Sequence, residues 1–429
     1  MFSRFKLKEH NTTVKTEFLA GLTTFLTMMY IVPVNGFILH DAGLPMGAVV
    51  TATALITILA TVFNGIWSNT PIAMSVGMGL NAYFSFGLVK GMGIPWQSAL
   101  GIVFLSGILY VLISFTPARR WLIETIPVDI KRAVSAGIGA FIAFIALGQT
   151  KIVVASDATL LTLGDLKDSG VLLALLGLVL AIYFSVKKYK GAFILSILVT
   201  TLFGWGMGIS PMPEEFVSLP ASMAPIALEL DILSALSLSF LPLILIFLLT
   251  DLFDTLGTLA GIGMRAKLFE NEEGSKALQK TIEADAVGTM LSGLAGVTST
   301  TSFIESAAGV EEGGRTGLSA VTTGLLFLLP LFLLPLFKAI PPNAIYPILI
   351  VIGIMMFSEL KNIDYTYDAS KYATFFIVLG MPMTYSITDG LLLGALVYML
   401  VNIIQGKTKE ISPAMIILAT AGILIFFFL

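Results

Sequence analysis

The sequence predicts an all-α polytopic membrane protein of about fourteen transmembrane segments, arranged as a 7+7 inverted repeat. Three observations carry this. The chain is 56% hydrophobic and only 12% charged over 429 residues, with a mean hydropathy of +0.94, whereas soluble domains carry roughly 25% charged residues. Apolar stretches long enough for a ~30 Å hydrocarbon core recur along its whole length. A loop without Lys or Arg, Ser210 to Asp231, divides them into seven before and about seven after. An odd number per half inverts the second copy relative to the first.

In order, the first half holds stretches at 17–39, 47–67, 71–88 (interrupted), 97–116, 131–149, 170–186 and 191–209. The second holds 233–260, 281–297, 299–311 (interrupted), 316–338, 343–358, 371–386 and 388–405. The run from Phe18 to Leu39 follows basic residues as a signal peptide would. It is too long for a signal h-region and lacks a small-residue cleavage site, so it is the first span. Residues 412–429 form a further apolar stretch, either a terminal span or a helix in the interface. The expected organisation is a first repeat over 1–209, an extracellular connection at 210–231, a second repeat over 232–405 and an unassigned segment, 406–429.

Charge placement sets the orientation. With the N-terminus in the cytoplasm, every Lys and Arg falls inside except Lys90, Lys151, Lys167 and Lys338. The positive-inside rule predicts this bias, and a shift by one span would destroy it. The expected location is therefore the cell membrane, multi-pass, with a cytoplasmic N-terminus.

The third span of each half departs from an ordinary lipid-facing helix. Asn69-Thr70-Pro71-Ile72-Ala73-Met74-Ser75-Val76-Gly77-Met78-Gly79-Leu80-Asn81 and Thr298–Val310 are both polar and Gly-rich. Non-helical backbone at that depth survives only when buried in protein or lining a wet cavity. Gly and Ser also permit close helix packing, but packing gives no reason for Glu305 in the second of these stretches.

Glu305 is one of three carboxylates at membrane depth; the others are Asp251 and Asp254 in Thr250-Asp251-Leu252-Phe253-Asp254-Thr255-Leu256-Gly257-Thr258. A charge in the bilayer core costs at least ~2.5–3.5 kcal/mol on insertion scales and marks a functional site. Asp251, Asp254 and Thr255 share one side of a helix through their three- and four-residue spacings. Asp254, nearer the cytoplasmic end, could also serve as a solvated cap. Acids buried without a cation can hold a proton, and so can carry a coupling ion as well as bind solute. Carboxylates accept paired N–H groups. Phe253, Phe303 and Met74 could form a flat apolar wall beside Ser75, Ser302 and Gly-flanked backbone. This chemistry points to a transporter of a neutral or cationic small solute with N–H donors.

Other classes find little support. With no Cys and only His10 and His40, no disulfide, thiol chemistry or metal site is expected. No catalytic set or cofactor is visible, and the coupling ion is expected to be a proton. There is no Gly-x-x-x-x-Gly-Lys-Ser/Thr loop for a nucleotide-driven pump. Gly313-Gly314-Arg315-Thr316-Gly317 reads as a tight cytoplasmic turn. The net charge of −3 comes with no basic stripe, so nucleic acid is not an expected partner.

At these residues the chain resembles the xanthine/uracil permease superfamily of nucleobase–cation symporters, and within it the AzgA-like branch. The likeness lies in Ala20–Met28, Gly77–Ala82, Asp251–Thr258 and Thr301–Val310, followed by Glu312-Gly313-Gly314-Arg315-Thr316-Gly317. It implies core and gate domains interleaved across both repeats. Segments 3 and 10 would each join a short strand to a half-helix, with substrate held between them beside segments 1 and 8. It implies proton-coupled uptake of hypoxanthine, adenine and guanine. By position, Asp251 and Glu305 match the substrate acids, and Asp254 and Asn81 match functional polar residues. Thr255 stands where uracil and xanthine relatives often carry another polar or titratable residue. Expected partners are a purine nucleobase and the lipid bilayer, with a homodimer left open. A channel, a membrane-embedded enzyme, and a transporter of xanthine, uracil or a small anion on the same fold are the competing readings.

Overall fold

The computed structural model describes residues 2–116, 125–266, 268–269 and 271–428. Arg119, Arg120 and Lys267, three of the expected cytoplasmic basic residues, lie outside that set. Fourteen segments run through the described chain. Segment 1 joins helices Val14–Met28 and Ile31–Asp41, and segment 2 is Met46–Trp67. Segment 3 begins with strand β1 (Met74–Val76) and continues as helix from Met78 to Gly91, whose second part is π-wound. Segments 4 to 7 are Trp96–Ser114, Val128–Gln149, Ser169–Val186 and Ala192–Gly206.

The second half repeats the pattern. Segments 8 and 9 are Leu241–Ala266 and Glu272–Ala295. An exposed hairpin between segments 5 and 6, β2 (Val153–Ser156) with β3 (Leu160–Leu163), precedes them. Segment 10 is strand β4 (Thr300–Ser302) and the short helix Ser306–Glu311. Segments 12, 13 and 14 are Pro342–Phe357, Asp368–Thr384 and Ile387–Ile404.

Several details differ from the sequence reading. The first stretch is broken at Met29 and Tyr30. Segment 11, the stretch expected at 316–338, divides into Gly317–Leu326, Pro330–Phe332 and Leu334–Lys338, because Pro330 and Pro335 cannot donate to a continuing helix. The hairpin at 153–163 was not expected. The C-terminal stretch is a helix, Pro413–Phe428, and it runs alongside segment 14, where Gly422 meets Leu392 and Leu396.

Packing sorts the segments into two groups. Segments 5, 6, 12, 13 and 14 pack on one another, while segments 1, 2, 4, 9, 10 and 11 form a second set. The turn at Gly313–Thr316 closes against segment 1. Arg315 Nη1 donates to the carbonyls of Val310 and Gly314, both at 2.7 Å. The fully buried Glu17 accepts the backbone N–H groups of Arg315, Thr316 and Ser319 at 2.9–3.3 Å. This acid satisfies N–H groups that the start of a helix leaves unpaired.

Candidate substrate site

The two interrupted segments meet as a two-stranded antiparallel ribbon. Met74 pairs with Ser302, Ser75 with Thr301 and Val76 with Thr300. The ladder extends one rung at each end: Gly77 N donates to Ser299 O, and Phe303 N to Ala73 O, both at 2.9 Å. Its outer edges would be untenable in lipid, and hydroxyls from neighbouring helices occupy them. Thr61 Oγ1 accepts from Met74 N at 3.0 Å and donates to Met74 O at 2.7 Å. On the other strand, Thr289 Oγ1 donates to Thr300 O at 2.9 Å, and Ser302 N donates to Thr255 Oγ1 at 3.2 Å. Asn81 accepts from Thr298, joining the half-helix of segment 3 to the strand of segment 10.

The carboxylates gather on the β4 side. Asp251, 1% exposed, lies 2.6 Å from Thr289 Oγ1, whose single proton is shared between this carboxylate and Thr300 O. Four residues along segment 8, Thr255 Oγ1 donates to Asp285 of segment 9 at 2.6 Å and lies 2.9 Å from Thr301 Oγ1. The acid–threonine pairs Asp251/Thr255 and Asp285/Thr289 thus clasp one another across segments 8 and 9. Tyr110 of segment 4 also donates to Asp285, at 3.2 Å. Asp254, one turn along segment 8 from Asp251, is half-buried. Glu305 immediately precedes the Ser306–Glu311 helix, and its carboxylate accepts from Tyr30 Oη at 2.6 Å. Its direct side-chain partner therefore lies in segment 1. Gly309 allows this approach, since a Cβ there would meet Ala20 O at 2.6 Å.

The remaining expected residues divide by what they touch. Ser75 Oγ lies 2.6 Å from Thr57 Oγ1 of segment 2. Ser302 Oγ is buried, as are Asp251 Oδ1 and Asn81 Nδ2, and none of the three has a hydrogen-bond partner among the described residues. Phe253 and Phe303 are buried near the acids. Met74 departs from expectation: its side chain packs with Ala60 and Ala284, filling the core instead of walling the site.

Sequence reasoning missed four participants. Asp285 and Thr289 repeat the four-residue acid–threonine spacing of Asp251 and Thr255, a signal that was present in the sequence. Tyr30 stands at the break of segment 1. Lys131 places its ammonium 5.7 Å from the centroid of the Phe253 ring, so a cation from segment 5 does approach the site.

A family model described as "Permease family", that of the xanthine/uracil permeases, matches residues 15–393. The chain belongs to this permease family. Among its relatives, a putative permease of Methanocaldococcus jannaschii is 42% identical, the match covering 99% of this chain and 98% of the relative. The adenine permease AdeP of Escherichia coli is 37% identical, with coverage of 98% and 94%. The guanine/hypoxanthine permease PbuO of Bacillus subtilis is 38% identical, with coverage of 97% and 98%. The fold is shared with the transmembrane domain of the cyanobacterial bicarbonate transporter BicA, at a TM-score of 0.62 and 16% identity over 89% of this permease and 97% of that chain. It is likewise shared with murine Slc26a9, at a TM-score of 0.63 and 11% identity over 92% of this permease and 69% of that chain. This permease is a multi-pass membrane protein with the 7+7 inverted-repeat fold, a transport protein and not an enzyme.

Proposed function

We propose that this permease imports purine nucleobases (hypoxanthine, adenine and guanine) across the cell membrane by proton symport, with its N-terminus in the cytoplasm. The observation that carries the reading is the carboxylate cluster of Asp251, Asp254, Asp285 and Glu305 beside the β1–β4 ribbon, in a chain whose relatives include adenine and guanine/hypoxanthine permeases. Asp251 and Glu305 accept the N–H edge of the base. Phe253 and Phe303 flank its ring, and Ser75, Ser302 and Asn81 complete the polar contacts. Asp254 orients the site or passes the proton; Thr255 holds Asp285 in place. Close acids in low dielectric do not all ionise together, so a proton enters the cluster with the solute. Segments 5 to 7 and 12 to 14 act as a gate against which the other segments move, and the two repeats, 1–209 and 232–405, supply both bodies.

Fold likeness to anion transporters does not carry their substrates, because four carboxylates disfavour an anion. Radiolabelled hypoxanthine uptake into proteoliposomes tests the reading. Uptake should require an inward proton gradient, collapse with a protonophore and be competed by unlabelled adenine and guanine. Undiminished uptake without a gradient would replace symport by facilitated diffusion or a channel. Competition by bicarbonate or uracil alone would overturn the purine assignment.

A further inference from the structure

A cavity of about 410 Å³ lies away from the carboxylate cluster. It is lined by the end of segment 1 (Phe37, His40, Asp41), the end of segment 5 (Gln149, Thr150, Lys151), and the starts of segments 6 and 12 (Asp168, Asn343, Tyr346 among them). By the orientation above, this is the outer face. Asp41 lies 11 residues beyond Tyr30, or roughly 16 Å along a helix. The volume falls within the ~300–1,000 Å³ range of small-molecule pockets.

Its chemistry selects an uncharged polar solute. Asp41 is offset by Lys90, at 3.3 Å, and accepts from Tyr346 of segment 12. Asp168 and Lys151 line the cavity together, so neither sign dominates. Much of the polar lining also keeps hydrogen-bonding capacity in reserve. Asp168 Oδ1 caps segment 6 through Gly170 N and Val171 N, leaving Oδ2 without a partner among the described residues. Asn343 Nδ2 donates to Gly170 O, leaving its carbonyl oxygen. His40 Nδ1 bonds to Leu44 O, leaving Nε2. The Gln149 amide has no partner among the described residues. Phe37 adds a partly exposed aromatic ring, and the buried Tyr346 anchors Asp41. Amide side chains pair with the donor–acceptor edges of purines, and aromatic rings stack on them.

We propose that this cavity is an outer recognition site, where the purine base is held between segments 1, 5 and 12 before it reaches the carboxylate cluster. The inference rests on the nucleobase reading of the central site, and the test separates the two. Purified Glu305→Gln protein, with the central site crippled, should keep a weak, saturable contact with hypoxanthine by saturation-transfer NMR. Adding Gln149→Ala or Asn343→Ala should weaken that contact by about fivefold or more, as expected for one or two lost hydrogen bonds. In otherwise unaltered protein, Gln149→Ala should raise the KM of uptake by a similar ~5-fold factor while the tight equilibrium affinity stays the same. If the Glu305→Gln protein shows no saturable contact while the unaltered protein binds and transports hypoxanthine, the outer site is wrong and the central one stands. An unchanged KM in both Gln149→Ala and Asn343→Ala would also overturn it. Unaltered protein that neither binds nor transports a purine would remove both readings together.

Discussion

The two repeats meet at one ribbon and support it with different chemistry. In the first repeat the supports are neutral: Thr61 holds both polar groups of Met74, and Thr57 meets Ser75. In the second, threonines again hold the strand, but Asp251, Asp254, Asp285 and Glu305 stand among them. Segment 2 presents Thr57 and Thr61 at the same four-residue spacing at which segment 9 presents Asp285 and Thr289. The backbone requirement is therefore met twice in the same way, while the carboxylates belong to one side. Duplication supplies the scaffold, and the difference between the copies supplies the chemistry.

The sharpest way to break this contrast is Glu305→Gln, which keeps size but turns an acceptor toward a donor. Binding of hypoxanthine should weaken about 30- to 1,000-fold, for a loss of roughly 2–4 kcal/mol. Wild-type affinity in a folded, inserted variant would take Glu305 out of the site. Next, Asp251→Asn should lose substrate binding, whereas Asp254→Asn should retain measurable binding and lose accumulation. Equilibrium binding and uptake on both variants separate the roles, and equal loss of binding would merge them into one.

A position-matched pair sharpens the comparison further. Asp285→Asn should cut gradient-driven accumulation by at least ~10-fold, since it changes an acid held to the helix of Asp251 through Thr255. Thr57→Val, its counterpart, should leave the proton dependence of uptake intact; altered proton dependence there would show that the neutral repeat also takes part in coupling. The smallest effect is expected from Thr61→Val and Thr289→Val. Each leaves a buried backbone carbonyl unpaired at about 1–3 kcal/mol, and Thr289→Val also removes the hydroxyl beside Asp251; the readout for both is a lowered melting temperature in detergent. A melting temperature unchanged in both would mean that these hydroxyls are not needed to satisfy the ribbon.

Much of the architecture was legible because membrane constraints are written in composition. Apolar length, the placement of Lys and Arg, and the polar, Gly-rich stretches around Ser75 and Thr301 gave the segment pattern and both interruptions. Partnerships between distant residues were not legible. The clasp of Asp251 with Thr289 depends on segments 8 and 9 lying antiparallel at one register, which hydropathy cannot fix. Tyr30 reaches Glu305 at the break of segment 1, where Pro33 has no N–H to give the Met29 carbonyl; the break could be read from Pro33, but the partner could not. Met74 looked like a wall residue by adjacency to Ser75, yet neighbouring strand residues point to opposite faces. The β2–β3 hairpin, with Leu160, Leu161 and Leu163 exposed, lacks the inward-facing pattern that would have announced it.

The ribbon also bears on how the chain is made. Its first strand, Met74–Val76, leaves the ribosome long before its mate, Thr300–Ser302, exists. At synthesis rates of ~5–20 residues per second, the interval is roughly 10–45 s. Throughout that time the edge of Met74–Val76 that will face Thr300–Ser302 has no protein partner, a state the hydrocarbon core does not tolerate. Segment 3 must therefore wait beside water, the insertion machinery or a chaperone, and neither repeat is complete as a membrane body until the other has arrived.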